Sequence, residues 1–269
     1  MASIVMTDDG IAFDGNSLEQ GPLGGAETAF TSLAQALAAR GHDVLIRNRC
    51  AAAMTRDGID WSPLDAGVPD RCDLYIANRS DKLLPLVPGA KKAVFWIHNP
   101  AGYLLKFRYL WKLWRRRPPI VFSGAFHADT YPGWAPADSR VIIPYGISDT
   151  FRSVTRSGNM PPPRAVFTSN PTRGLDWLLD VWRSAIYPGS PTAELHLFSG
   201  AATYGTFGAA REGQMQEVLE KAKSLSRAGV VLRDPVPKAA LARELAEARV
   251  LLYRGDPGET FCLAVGEAQ

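Results

Sequence analysis

The densest chemistry in the sequence lies at its end, in Gly255-Asp256-Pro257-Gly258-Glu259-Thr260-Phe261-Cys262-Leu263-Ala264-Val265-Gly266-Glu267-Ala268-Gln269. A Gly/Pro loop follows an apolar run and opens a helix. The backbone N–H groups of Phe261, Cys262 and Leu263 then face outward at a positive helix end, which suits a phosphate or diphosphate. Glu259 falls in the loop and Glu267 in the second turn, about 9 Å along the helix axis from Phe261 at 1.5 Å per residue. Carboxylates repel an anion but accept hydrogen bonds from hydroxyls on either side of it, a sugar at one end and a ribose at the other. The plainer alternative makes Glu259 a partner of the helix dipole and Glu267 a solvated helix residue.

A second concentration of chemistry is basic. Lys106, Arg108, Lys112, Arg115, Arg116 and Arg117 place six cations and no acid between Tyr103 and Pro119. The whole chain carries a formal +3; without these six, 24 basic residues face 27 acidic ones. The positive charge is therefore a local patch. Residues 103–117 read as one helix between Gly102 and Pro118, with Phe107, Leu110, Trp111 and Trp114 on one face and Arg108, Lys112 and Arg115 on the other. Tryptophan flanked by Lys and Arg is the composition of a helix lying in an anionic membrane interface, with Lys106, Arg108, Trp111, Lys112, Trp114 and Arg115 as the expected surface. The alternative is an ordinary surface helix whose aromatics pack on a sheet. No nucleic-acid-binding motif accompanies the patch.

These groups need a scaffold. In the first half, apolar runs at residues 3–6, 44–46, 74–77, 93–97, 120–123 and 140–143 alternate with helical stretches such as 28–40, where Phe30, Leu33, Ala34 and Leu37 keep helical spacing and Gly41 ends the pattern. Near-continuous apolar strands between helices predict a parallel sheet covered on both faces. Pro161, Pro162 and Pro163 mark a linker. The alternation resumes with strands at 165–168, 194–198, 230–232 and 249–253 and helices at 175–184, 214–226 and 238–247. The expected architecture is α/β with two tandem Rossmann-like domains: residues 1–151, a linker over 152–164, and 165–269. The second domain, with four strands where such units usually have five or six, is expected to be truncated. At 269 residues, 46% apolar and 21% charged, the chain suits two folded domains and excludes general disorder. It has neither a spanning apolar run nor a basic signal-like start, and its three cysteines, Cys50, Cys72 and Cys262, lack metal-ligand spacing. Reduced thiols in a cytoplasmic protein are expected.

The Glu, seven residues, Glu signature after a strand and a Gly/Pro loop resembles that of family 4 retaining glycosyltransferases of the GT-B fold. Four further segments match in order. Gly24-Gly25-Ala26-Glu27 resembles the Gly-Gly-x-Glu turn that starts the first long helix, and Trp96-Ile97-His98-Asn99 resembles the strand-end histidine segment. Ile143-Pro144-Tyr145-Gly146-Ile147 resembles the Pro-Asn-Gly-Val segment, and Ser169-Asn170-Pro171-Thr172-Arg173-Gly174-Leu175 the Lys-Gly turn, here Arg-Gly. The chain departs from the family in two places. Phe167 and Thr168 stand where the family often has a basic residue, and Cys262 stands where it commonly has Gly.

The resemblance implies roles. Arg173 becomes the principal cation for a leaving diphosphate. Gly200, with residues 201–205, forms a small-residue loop at a strand's carboxyl end, where open α/β sheets bind ligands. Val236 and Pro237 either flank the nucleotide base or staple a helix start. His98 hydrogen-bonds a donor-sugar hydroxyl, Gly24 and Gly25 offer a further anion contact, and Glu259 positions the sugar. The implied activity is transfer of a sugar from a nucleotide-sugar co-substrate to a saccharide or lipid-linked acceptor, with retention of configuration. No metal or other cofactor is implied, and there is no Asp-x-Asp dyad to hold one. No nucleic-acid partner is expected. Because many relatives act on lipid-linked or envelope saccharides, a peripheral position on the inner face of the membrane is expected for the basic helix. Two other readings stand beside this one: a non-catalytic, truncated membrane- or partner-binding remnant, and a nucleotide-sugar epimerase of the same architecture.

Overall fold

The computed structural model describes residues 1–155, 158–200 and 212–269. The chain divides into two compact units. The first comprises Met1–Ser17, Gly25–Gly146 and Gly258–Phe261; the second comprises Leu18–Gly24, Ile147–Pro257 and Cys262–Gln269.

The first unit is built on eight strands: β1 (Ser3–Thr7), β2 (Asp43–Asn48), β3 (Met54–Arg56), β4 (Ile59–Pro63), β5 (Leu74–Asn78), β6 (Lys92–Trp96), β7 (Ile120–Phe122) and β8 (Arg140–Ile142). Their spatial order is β3-β4-β2-β1-β5-β6-β7-β8. All neighbours pair in parallel except β3 with β4. That antiparallel hairpin turns on Asp57 and Gly58, both at positive φ (52° and 72°), the conformation a tight hairpin turn requires. The helix Gly25–Ala39 buries Phe30 and Ala34 completely and ends before Gly41, whose φ of 81° suits a left-handed helix stop. Tyr75, Phe95, Ile97, Phe122 and Leu113 belong to the main apolar core.

The basic segment is not the single helix expected over 103–117. A short 3₁₀ stretch, Ala101–Leu105, precedes the helix Phe107–Arg116, and Lys106 between them is extended (φ −69°, ψ 139°). An extended residue cannot continue either helix. The face assignment also changes. Leu113 is fully buried, with Tyr109 and Leu110 packed beside it, whereas Phe107, Trp111 and Trp114 are exposed by 81%, 54% and 63%.

The second unit has four parallel strands, β9 (Arg164–Phe167), β10 (Glu194–Phe198), β11 (Val230–Arg233) and β12 (Val250–Leu251), in the order β11-β10-β9-β12. Trp182, Leu175, Leu179, Phe167 and Leu195 are buried in its core. The helix expected over 175–184 is α-helical only from Leu175 to Val181, then continues as a π-helical turn, Trp182–Ile186. The first unit's long segment ends at Gly146, short of the expected boundary at 151. Phe151, on the helix Asp149–Arg152, packs with Val166, Phe198, Leu241 and Leu245, so its apolar contacts hold residues 149–152 to the second unit.

Candidate functional site

The carboxyl ends of β1, β5 and β6 hold a buried polar network. Asp8, directly after β1, is fully buried, as is Asn78 at the end of β5. The Asn78 side-chain amide donates to Asp8 Oδ2 (2.6 Å), and the Gly10 amide donates to Asp8 Oδ1 (2.7 Å). Arg79 lies between two carboxylates, with Nε 2.7 Å from Asp8 Oδ2 and one terminal nitrogen 2.8 Å from Glu27 Oε1, close but off the hydrogen-bonding axis. Its backbone is left-handed at φ 54°. A side chain at Gly10 would meet the Arg79 guanidinium at 2.7 Å and would have to displace it. Burial pushes the Asp8 carboxyl up, against the opposing pull of Arg79, the Gly10 amide and Asn78.

His98 extends this network. Its Nε2 lies 2.6 Å from Asn78 Oδ1, and its Nδ1 is hydrogen-bonded to the Tyr145 hydroxyl. Because Asn78 donates through its amide to Asp8, its Oδ1 accepts. Nε2 therefore carries the proton, and Nδ1 accepts from Tyr145. Burial, reinforced by the charge of Arg79 and by His127, holds the ring well below the usual histidine range, hence neutral. Both ring nitrogens are thus taken by protein groups. His127, buried nearby, accepts from the Ser123 amide (3.1 Å) at Nδ1 and donates from Nε2 to the Asn99 carbonyl (2.8 Å).

Residues 258–261, which carry Glu259, are fixed to the same unit. Thr260 Oγ1 donates to the His98 carbonyl, Ser123 Oγ donates to the Thr260 carbonyl (3.1 Å), and the Phe261 ring packs 4.9 Å from Tyr145. The last helix starts at Leu263, and Leu263 itself is a buried apolar residue. Cys262 precedes that helix, with extended backbone, and forms no disulfide. Gly25 opens its helix in the first unit, whereas Gly24 closes the stretch Leu18–Gly24 of the second.

In the second unit, the turn after β9 is shaped by Asn170, whose side-chain oxygen accepts from the Thr172 amide (2.9 Å) and hydroxyl (2.8 Å), and by Gly174 at φ 79°. This turn carries Arg173. With the turn after β12 it encloses an open cavity of about 450 Å³ lined by Thr172, Arg173, Gly174, Arg254, Asp256 and Pro257. A smaller pocket of about 50 Å³ lies at the carboxyl ends of β9 and β10, where Thr168, Gly200, Val236 and Lys238 line it with Leu23. Residues 201–205 lie outside the described residues. Glu267 is not a solvated helix residue. It is 8% exposed, and its Oε1 accepts from Lys238 Nζ at 2.6 Å. Burial raises its carboxyl, against the pull of Lys238.

The structure therefore gathers His98, Phe261 and the Glu259 loop in one unit, and Arg173, Gly200, Val236 and Glu267 in the other. Sequence reading missed Asp8, Asn78, Arg79, Lys238 and Arg254. Asp8 and Asn78 each end an apolar run, which is the available signal. On the basic helix, Trp111 and Trp114 stack at 5.7 Å, and Lys106, Arg108 and Arg115 are exposed. Lys112 is exposed as well, and its ammonium is paired with the buried Asp81 at 2.6 Å. Among the described residues no group of three His, Cys, Asp or Glu side chains is placed to hold a metal, and no helix is long and apolar enough to cross a membrane.

No protein family and no curated protein matches this sequence. Solved structures do match over the chain's length. The chain resembles sucrose-phosphate synthase from Thermosynechococcus elongatus at a TM-score of 0.67 and 14% identity, covering 100% of this chain and 79% of that one. It resembles Anabaena HepE, solved in complex with UDP and glucose, at 0.68 and 14%, covering 100% and 78%. It resembles an E. coli trehalose-6-phosphate protein bound with UDP-2-fluoro glucose at 0.68 and 12%, covering 99% and 81%. The fold is that of the GT-B glycosyltransferases, with two Rossmann-like units in tandem.

Proposed function

We propose that this protein is a glycosyltransferase that moves a sugar from a nucleotide-sugar donor to a saccharide or lipid-linked acceptor. The observation that carries this reading is the cavity beside Arg173 at the strand ends of the second unit, in a fold shared with proteins crystallised with UDP. In this reading the donor's diphosphate lies against the Arg173 turn and the base against Gly200 and Val236. Glu259 positions the sugar, Glu267 receives a ribose hydroxyl, and the amides of Phe261, Cys262 and Leu263 face the phosphate. Gly24 and Gly25 offer a further contact.

Transfer proceeds with retention and without metal. The acceptor oxygen attacks the anomeric carbon on the face from which the diphosphate leaves. The new C–O bond forms as the bond to the phosphate oxygen breaks, and the acceptor's proton passes to that oxygen. The cationic turn offsets the charge that develops there. His98, neutral and engaged at both nitrogens, acts by positioning.

Thermal shift with UDP-, GDP- and ADP-sugars tests donor binding. A ligand at 100 times its Kd adds about 2.7 kcal/mol, or about 5–10 °C at this size. NMR of the product then reads the anomer in the presence of EDTA. An inverted anomer, or activity lost to EDTA, overturns the mechanism; the absence of a shift with every donor overturns the function.

The same reading puts the protein at the cytoplasmic membrane face, with exposed Phe107, Trp111 and Trp114 beside Lys106, Arg108 and Arg115 meeting an anionic bilayer. Flotation with vesicles containing phosphatidylserine should fall sharply for the double variant Trp111→Ser, Trp114→Ser. Equal flotation with neutral vesicles would refute it.

A further inference from the structure

Two guanidinium groups line the cavity of the second unit. Arg173 comes from the turn after β9 and Arg254 from the segment after β12, and these two strands are hydrogen-bonded neighbours. Arg254 crosses directly over Gly174: a side chain at Gly174 would meet Arg254 Cβ at 3.2 Å and Cδ at 3.3 Å. Beyond the glycine, the Arg254 guanidinium carbon sits 5.2 Å from the centre of the Trp177 ring. Stacking of this kind fixes the guanidinium plane while leaving its N–H edges free to bind planar or tetrahedral anions. Asp256, with Oδ2 4.0 Å from Arg173 Nε, is the one carboxylate among the described residues of the lining, which therefore keep a positive excess.

The strand beneath explains why the second cation comes from here. Phe167, near the place where the family resemblance leads one to look for a basic residue, is fully buried and packs against Tyr253, the residue before Arg254. A charge at 167 would have no solvent. A charge at 254 lies at the surface, on the adjacent strand's exit, over a glycine that makes room for it.

We infer that Arg254, aimed by stacking on Trp177, is the second diphosphate-binding cation of this protein, paired with Arg173 across the cavity. This rests on the nucleotide-sugar reading, and the test separates the two. Inorganic pyrophosphate and UDP are titrated calorimetrically into the full chain and into Arg254→Ala, Arg254→Lys and Trp177→Ala variants, with melting curves as a folding control. Because Arg254 is exposed, its variants should melt within a few degrees of the wild type. Pyrophosphate affinity should fall about 10- to 100-fold in Arg254→Ala, as expected for a lost charge-assisted contact, and recover only in part in Arg254→Lys. Trp177→Ala should cost about two- to fivefold. Wild-type affinity in Arg254→Ala overturns the assignment and leaves the donor reading standing. So does UDP binding to a protein that ignores pyrophosphate. Failure of the wild type to bind pyrophosphate, UDP and every nucleotide sugar overturns both.

Discussion

Replacing Lys238 by methionine should destabilise the second unit in a way that depends on pH. The Lys238 ammonium lies 2.6 Å from Glu267 Oε1, and the two side chains are 17% and 4% exposed. Methionine keeps most of the aliphatic stem but strands a buried carboxylate. Breaking a fully buried pair costs about 3–5 kcal/mol, and the residual exposure of Lys238 brings the expected loss at pH 8 to about 2–3 kcal/mol. Burial already raises the Glu267 pKa above its unfolded value. The unfolded chain therefore releases this proton first, and the group costs stability as pH rises through its raised folded pKa. Removing Lys238 raises that pKa further. The loss should therefore be smaller at pH 5 than at pH 8, by about 1.4 kcal/mol for each tenfold gain in proton affinity. Urea denaturation at pH 5 and pH 8 measures both values. The double variant Lys238→Met, Glu267→Gln should recover most of the pH 8 loss. A loss that is equal at the two pH values, or a double variant no better than the single, refutes the coupling.

Three further outcomes are expected. Arg79→Met strands the Asp8 and Glu27 carboxylates in the first unit and should cost about 3–5 kcal/mol by urea denaturation; a loss under about 1 kcal/mol would show the network to be solvated. His98 and His127 are both held below the usual histidine range by burial, so the unfolded chain takes up protons that the native protein resists; stability should fall as pH drops below about 6.5, and NMR should show both rings titrating below the free value, His98 the further of the two. Ring signals that titrate near 6.5 would contradict the network. Thr260→Val removes the hydroxyl that donates to the His98 carbonyl and should cost about 0.5–1.5 kcal/mol in melting experiments while lowering transferase activity, and unchanged activity would separate the loop from the chemistry.

The strands Ser3–Thr7, Leu74–Asn78 and Ile120–Phe122 were legible because each is a run of apolar residues closed by a polar one, and all fall on runs identified from sequence. The β3–β4 hairpin was missed because Met54-Thr55-Arg56 and Ile59-Asp60-Trp61 mix polar and apolar residues, although Asp57-Gly58 is the turn dipeptide that joins such strands. The basic helix misled for a different reason. Helical periodicity identifies an apolar stripe but not what covers it, and Leu113, not Trp111 or Trp114, is the residue that the core takes. Charge partners were the least legible. Lys238 and Glu267 are 29 residues apart, and Asp8 and Arg79 71 apart. Nothing local in either segment requires the other. Arg254 reads as an ordinary loop arginine until Gly174 and Trp177 are seen beneath it.

The order of donors and acceptors around His98 argues for what this histidine does. The Asp8 carboxylate can only accept, so Asn78 must present its amide to Asp8 and its oxygen to His98. That forces the proton onto Nε2, leaves Nδ1 as an acceptor and makes Tyr145 the donor. Every link is fixed by the one before it, starting from a carboxylate whose other contacts are Arg79 and the Gly10 amide. Protonating Nδ1 would reverse the Tyr145 hydrogen bond and set a second cation beside Arg79 in a buried site. Burial and the neighbouring guanidinium favour the neutral ring, and the ring has no spare edge to offer a sugar hydroxyl while Tyr145 stays in place. The His98 main chain has a different role: its carbonyl holds Thr260 and hence the loop that carries Glu259. A substitution that preserves the ring's place but not its hydrogen bonds, such as His98→Phe, should release Tyr145, whose ring packs on Phe261 of that loop, and so lower the proposed transfer rate without creating or removing an ionisable step in the pH profile.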